Sequence, residues 1–283
     1  MTMNADNIWK PASKAYVFLW YVFYIFLRIV LRLLLGKKRR QYAQDLLGLH
    51  YSRSFNILYG SLGILHTYEP HVQRIIKRHL ENGGIFIDVG AYLGFFSNYA
   101  YKLIHKKGGL IVAVEPDPYN YAILRERVPK DVKIVNAAIW TENKALKFRR
   151  GRPHYPSKYT ISRRISMSSS LVSTPLHEER KLLSDEWVTV NGIRLDTLIK
   201  QLGLNSVDLV KMDIEGAEYH ILTDPDLDLA HVKAMIIEVH YPFTSHQNKA
   251  IMSSLKSKGF QLYPLLGPDK LRYHLYAVKQ VKT

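Results

Sequence analysis

Six side chains able to move a proton or hold a cation recur where apolar runs end: Asp88, Glu115, Asp213, Glu215, Glu238 and His240. Carboxylates and imidazole are the usual general bases. A histidine, with an ordinary pKa of about 6.5, is the strongest base of the set at neutral pH. Asp213 and Glu215 are the alternatives to His240. Asp213 and Glu238, with Glu215 and His240, also make an oxygen-rich set of the kind Mg²⁺ prefers. The chain has no cysteine. Thiolate nucleophiles, disulfides and cysteine-bound zinc are therefore excluded.

The residues after Asp88 read Val89-Gly90-Ala91-Tyr92-Leu93-Gly94. A glycine-rich turn between a strand and a helix lets backbone approach a ligand closely. The spacing G-x-x-x-G is not the G-x-G-x-x-G of dinucleotide sites, and Asp88 would repel a pyrophosphate. It suits a cation instead, and S-adenosylmethionine carries both an α-amino group and a sulfonium. Glu115 comes 27 residues later. An acid at the end of the second strand can accept hydrogen bonds from two ribose hydroxyls. Asp88, Gly90, Ala91, Gly94 and Glu115 are thus candidate cofactor residues.

These residues need a scaffold that brings strand ends together. Glu69-Pro70 opens a helix to about Leu80, since proline is tolerated at the first helical position. Ile85–Val89, Gly109–Val114, Val132–Ile139, Val207–Met212 and Val232–Val239 read as buried strands. Helices are expected over 94–104, 119–127, 193–202, 216–222 and 245–258. Phe260–Leu265 and Leu271–Val278 read as a closing hairpin. Strands alternating with helices predict a doubly wound α/β sheet, mostly parallel and covered on both faces. Such sheets bind ligands at the carboxyl ends of their strands. The expected domains are an arm over 1–50 and a catalytic domain over 51–283. Within the latter, 149–186 shows few strand or helix signals and reads as an acceptor-binding insertion. Arg152, His154, Arg163 and Arg164 are its candidates for binding phosphate or carboxylate.

Lys and Arg total 40 against 24 Asp and Glu, a formal charge of +16. Such a field favours anionic partners. Residues 1–50 hold eight basic and two acidic side chains, and Arg149 to Arg164 holds six basic and none acidic. Tyr16 to Leu35 carries only Arg28 and Arg32 as charges, and Lys37-Lys38-Arg39-Arg40 comes next. We read this segment as a helix lying in a membrane interface beside a polybasic flank. Twenty helical residues would just span a bilayer core of about 30 Å, so spanning is an alternative. So is burial of the helix against protein. Residues 14–40 are expected to contact an anionic membrane surface on its cytosolic side.

Several strings taken together resemble the FkbM family of methyltransferases. They are Tyr68-Glu69-Pro70, Ile87-Asp88-Val89-Gly90-Ala91 with Gly94, Glu115-Pro116, Asn136-Ala137-Ala138, Leu195-Asp196, Lys211-Met212-Asp213-Ile214-Glu215-Gly216-Ala217-Glu218 and Glu238-Val239-His240. The resemblance covers roughly residues 68–263. It implies a seven-stranded methyltransferase sheet with a C-terminal antiparallel hairpin and S-adenosylmethionine as methyl donor. It also adds Glu69 and Asn136 to the cofactor residues. The family usually has asparagine where Tyr92 stands. Its acceptors are mostly hydroxyls of sugars and natural products, so O-methylation of a sugar or of a glycan- or lipid-linked hydroxyl is expected. Two other functions compete: methylation of RNA or DNA, and a membrane-bound binding protein without turnover. Against the first, the fourth strand does not end in the N/D-P-P-Y/F string that holds an exocyclic amine. No nucleic-acid partner is expected.

Overall fold

A computed structural model describes residues 69–152, 166 and 168–279. The expected arm, its boundary at residue 50, and His154, Arg163 and Arg164 lie outside the described residues. Among the described residues no helix is long and apolar enough to cross a membrane. The chain divides by packing into residues 1–75 and 76–283. Of the first unit only 69–75 are described, including the opening of helix α1 (Pro70–Leu80). The second unit carries the sheet.

Five of its strands run parallel: β1 (Ile85–Val89), β2 (Leu110–Val114), β3 (Lys133–Val135), β7 (Leu209–Met212) and β8 (Ala234–Val239). Two more, β9 (Phe260–Leu265) and β10 (Tyr273–Lys279), form the closing hairpin, and β10 lies antiparallel to β8. The sheet order is β3-β2-β1-β7-β8-β10-β9. It reverses direction between β1 and β7, and that switch point is where open α/β sheets leave a crevice. Ile87, Val89, Val112, Val114, Val210, Met212, Ile237 and Val239 bury the sheet's core. Strands covered on both faces have no polar side to alternate with, which is why they read as continuous apolar runs.

Helices α2 (Phe95–Ile104), α3 (Pro118–Arg127) and α7 (His246–Ser257) start close to their expected positions. Local chemistry sets two of these starts. Asp117 caps α3 by accepting from the backbone N–H of Tyr119 and Asn120, with Pro118 in the first turn. Ser245 caps α7 by accepting from Asn248 N. Both arrangements satisfy donors that the helix itself leaves unpaired.

The insertion departs from the expectation. Its flanks are regular. Strand β5 (Ala145–Gly151) pairs antiparallel with β6 (Leu183–Ile193), and β4 (Ala138–Ile139) joins β6 from the other side. The strand expected over 132–139 is therefore two strands in two sheets, parted at Asn136-Ala137. A short helix α4 (Pro175–Glu179) lies between β5 and β6. Arg150 locks this sheet to the core. Its Nε donates to Asp117 at 2.7 Å, an Nη donates to Glu186 at 2.9 Å, and the guanidinium lies 4.4 Å from the Tyr119 ring centre. Helix α5 (Leu195–Gln201) comes after β6, and α6 (Glu218–Leu222) after β7.

Candidate cofactor and acceptor site

The loop after β1 is built by close backbone approach. Gly90 has φ 76, and a Cβ there would overlap the carbonyl oxygen of Asp213. Only glycine meets both demands. Gly94 has φ 84, and a Cβ there would press into Val128 and Leu124 of the neighbouring helix. Ala91 lies buried, and its N–H donates to Val114 O at 3.0 Å. Tyr92 sits between them with φ 51, in the left-handed region. Asparagine tolerates that region far better than tyrosine, which gives the family's usual residue a physical reason.

Asp88 is buried at the end of β1. Its Oδ2 accepts from Ser97 Oγ at 2.7 Å. Its Oδ1 is buried without a hydrogen-bond partner, and Lys211 Nζ is 3.8 Å away. Burial raises its pKa above the ordinary carboxylate range, and Lys211 offsets part of that. Asp88 and Lys211 meet because β1 and β7 pair in register there. An unmatched buried acceptor suits a cationic donor such as an α-amino group.

Glu115 lies at the end of β2. Its Oε2 accepts from Tyr92 N at 2.9 Å, and its Oε1 from Asp117 N at 3.0 Å and Asn120 Nδ2 at 3.3 Å. It thus ties the glycine loop to the start of α3. Burial, and then the charge of Asp117, pushes its pKa up to about 8 against those three donors. Asn136 donates to the carbonyls of Glu115 and Pro116 at 2.8 and 3.2 Å. It braces the turn carrying Glu115. Glu69 has φ 43, immediately precedes α1 and belongs to the first unit.

The acidic string forms the other half. His240 is sealed from solvent, as is Glu218 behind it, both at 0% side-chain exposure. His240 Nδ1 donates to Glu218 Oε1 at 3.1 Å, and the same oxygen accepts from the backbone of Ile214 and Gly216. His240 Nε2 lies 3.4 Å from Glu215 and 3.9 Å from Asp213. Asp213 and Glu215 are partly open, at 22% and 16% exposure. Lys211 Nζ lies 3.2 Å from Asp213, and Arg272 donates toward Glu238 at 2.9 Å.

Two expectations change here. His240 does not keep its intrinsic pKa. Burial lowers it, but Glu218, Glu215 and Glu238 outweigh burial and hold the imidazole charged well above the usual histidine range. A charged imidazole has no free lone pair to take a proton. Asp213 behaves in the opposite sense. Burial raises its pKa, but Lys211, His240 and His274 bring it down to about 2. The Mg²⁺ expectation also finds no support. Asp213, Glu238 and His240 each offer one ligand atom within 4.8 Å of the others. However, His240 is protonated, and Lys211 and Arg272 already face the two carboxylates. The set does not fit a hard dication.

Sequence reasoning missed His177 and Arg272. His177 Nε2 lies 3.3 Å from Glu215 Oε2. The run Thr174-Pro175-Leu176-His177 is a helix-start signature that could have marked the position, though not its contact. Arg272 was visible only as part of a hairpin. Of the basic candidates in the insertion, Arg152 donates to the Leu183 carbonyl at 3.0 Å and holds the β5–β6 sheet.

Known proteins bear on this arrangement. The methyltransferase FkbM domain family matches residues 88–262. The 31-O-demethyl-FK506 methyltransferase FkbM of Streptomyces tacrolimicus is 23% identical over 190 residues, 61% of this chain and 72% of that protein. The AMB antimetabolite synthetase AmbE of Pseudomonas aeruginosa is 36% identical over 95 residues, or 30% of this chain; the match spans only 4% of the synthetase. Among solved structures, a methyltransferase FkbM from Methylobacillus flagellatus KT is similar at 13% identity, with a TM-score of 0.41 over 88% of this chain and 57% of that one. The precorrin-6y C5,15-methyltransferase of Geobacter metallireducens GS-15 is similar at 14% identity and a TM-score of 0.40, over 74% and 87% of the two chains. The family match covers more than half of the sequence and includes both halves of the site. The chain belongs to the FkbM family of S-adenosylmethionine-dependent methyltransferases.

Proposed function

We propose that this chain transfers a methyl group from S-adenosylmethionine to a hydroxyl oxygen, with a sugar, glycan or glycolipid as acceptor. The observation that carries the reading is the division of the acidic cluster. His240 and Glu218 are sealed, whereas Asp213 and Glu215 are partly open beside the glycine loop. An acceptor hydroxyl can reach only the open pair. As the new O–CH₃ bond forms, the hydroxyl proton becomes strongly acidic. A weak carboxylate base then suffices, provided it is in place. Glu215 takes that proton, Asp213 orients the hydroxyl, and charged His240 holds the carboxylates together. On the donor side, Asp88 Oδ1 receives the α-amino group and Glu115 the ribose hydroxyls. Gly90, Ala91 and Gly94 let the backbone come close. The Streptomyces tacrolimicus relative, by its name, acts on an O-demethyl compound, which favours oxygen as the acceptor atom.

The arm over residues 1–50 would hold this domain, 51–283, on the cytosolic face of an anionic membrane through residues 14–40. Its support is sequence alone: one apolar run and the polybasic flank. The insertion over 149–186 would receive the acceptor.

Tritium from labelled S-adenosylmethionine should appear in a host lipid or glycolipid extract as an alkali-stable ether. Glu215→Gln and Asp213→Asn should each cut transfer about 100-fold or more while S-adenosylhomocysteine affinity stays within about threefold. Label recovered on amines or in RNA, or full activity in both variants, refutes the reading. Removing residues 1–40 should abolish sedimentation with phosphatidylserine vesicles and leave cofactor affinity intact.

A further inference from the structure

The insertion reaches the catalytic carboxylate Glu215 through His177 and, by way of Asp269 and Arg272, approaches Glu238 through Arg180. Neither His177 nor Arg180 has a role in the chemistry proposed for the site. His177 stands at the third position of α4. Its Nδ1 accepts from the backbone N–H of Thr174 at 3.2 Å, and its own backbone N–H donates to Thr174 Oγ1 at 3.4 Å. This is a reciprocal cap, with histidine where glutamate or glutamine is usual. A backbone N–H can only donate, so Nδ1 carries no proton. The ring proton is therefore on Nε2, and Nε2 donates to Glu215 Oε2 at 3.3 Å. The cap thus fixes which nitrogen faces the carboxylate.

Glu215 needs such a hold. It has φ 56, a conformation that favours glycine, at the turn after β7. Non-glycine residues persist there only when their surroundings over-determine them. The insertion supplies those surroundings. Ser170 Oγ donates to the Glu215 carbonyl at 2.7 Å, and Gly216 packs so close to Thr174 that a Cβ would overlap it. On the far side, Arg180 donates to Asp269 at 2.9 Å. Asp269 in turn accepts from Arg272 Nε at 3.1 Å, and Arg272 faces Glu238. Helix α4 and its C-terminal Arg180 therefore brace both Glu215 and Glu238.

We propose that His177 is a positioning residue for methyl transfer. The proposal rests on Glu215 as the base. His177 aims the Glu215 carboxylate from within the acceptor insertion, so docking of α4 and readiness of the base are one event. Glutamine at 177 can keep both the cap and the donor. Glutamate keeps the cap but removes the donor and sets a like charge against Glu215.

The test compares His177→Gln with His177→Glu. His177→Gln should unfold in urea at nearly the parent's midpoint, because it retains the cap and the donor. His177→Glu should unfold earlier, because it sets a second carboxylate against Glu215 at a sealed position. The two variants are therefore compared at a temperature where both are fully folded. Both should bind S-adenosylhomocysteine within about twofold of the parent. Label transfer into the host extract should stay within about fivefold in His177→Gln. It should fall about 10- to 100-fold in His177→Glu, as expected for losing a hydrogen bond to a charged group. Equal activity in the two variants overturns the proposal. A second arm needs no turnover. Long-range ¹H–¹⁵N spectra of the parent should show His177 protonated on Nε2, with that signal shifted in Glu215→Gln. A proton on Nδ1, or an unmoved signal, overturns the proposal even if no extract accepts label. Absent transfer with the expected spectra would instead count against the methylation reading and leave the His177–Glu215 contact standing.

Discussion

Binding of the cofactor product should release a proton from Glu115, and its affinity should rise steeply with pH. Burial beside Asp117 pushes this carboxyl up to about 8, from an ordinary 4.5. If the ribose hydroxyls donate to it, the ionised form is the one that binds. A group with pKa about 8 is ionised in roughly 1% of molecules at pH 6, roughly 9% at pH 7 and half at pH 8. Apparent Kd scales inversely with the competent fraction. S-adenosylhomocysteine should therefore bind roughly fifty-fold more tightly at pH 8 than at pH 6. Titration calorimetry at pH 7, in buffers of differing ionisation heat, should find about 0.9 proton released per site. Stability of the free protein obeys the same shift. A carboxyl whose folded pKa is raised stabilises fully below 4.5, and that contribution is lost as pH rises through about 8. The thermal shift caused by the ligand should accordingly grow between pH 6 and 8. Glu115→Gln should flatten the affinity profile. A flat profile in the parent protein, or an unchanged slope in Glu115→Gln, refutes the reasoning.

Other perturbations probe the geometry elsewhere. Tyr92→Asn should stabilise the fold by about 1 kcal/mol in urea, because φ 51 is less costly for asparagine; a destabilised variant means that the tyrosine ring's packing outweighs the strain. Arg150→Gln should destabilise by about 3–5 kcal/mol, since it leaves Asp117 buried without its charged partner. A loss under about 1 kcal/mol would show that the insertion sheet does not depend on this clamp. Chelation with EDTA should leave methyl transfer unchanged, because charged His240, Lys211 and Arg272 already face the acidic cluster. A metal-restorable loss of activity would contradict that assignment.

Much of the core sheet was legible because its information is local. Buried parallel strands are apolar runs whatever they pair with, and Asp117 and Ser245 mark helix starts within three residues. Asp88 and Glu115 could be placed at neighbouring strand ends from the βαβ spacing alone. The insertion sheet was not legible. Its strands mix charged and apolar residues, as in Leu146-Lys147-Phe148-Arg149, and their partners lie more than thirty residues away in β6. Neither strand announces a buried face until the other covers it.

The residue types and the loop and acid strings, carried in the chain itself, determined the cofactor class and the family. They did so because glycine's freedom and a carboxylate's charge belong to the residue. Protonation and orientation belong to the assembled fold. His240 is charged because carboxylates at 215, 218 and 238 converge on it from β8 and from the turn and helix that come after β7. Glu215 is aimed because α4, 38 residues earlier, folds back against it. Interactions of this kind act through space at a few ångströms, and only the tertiary structure sets those distances.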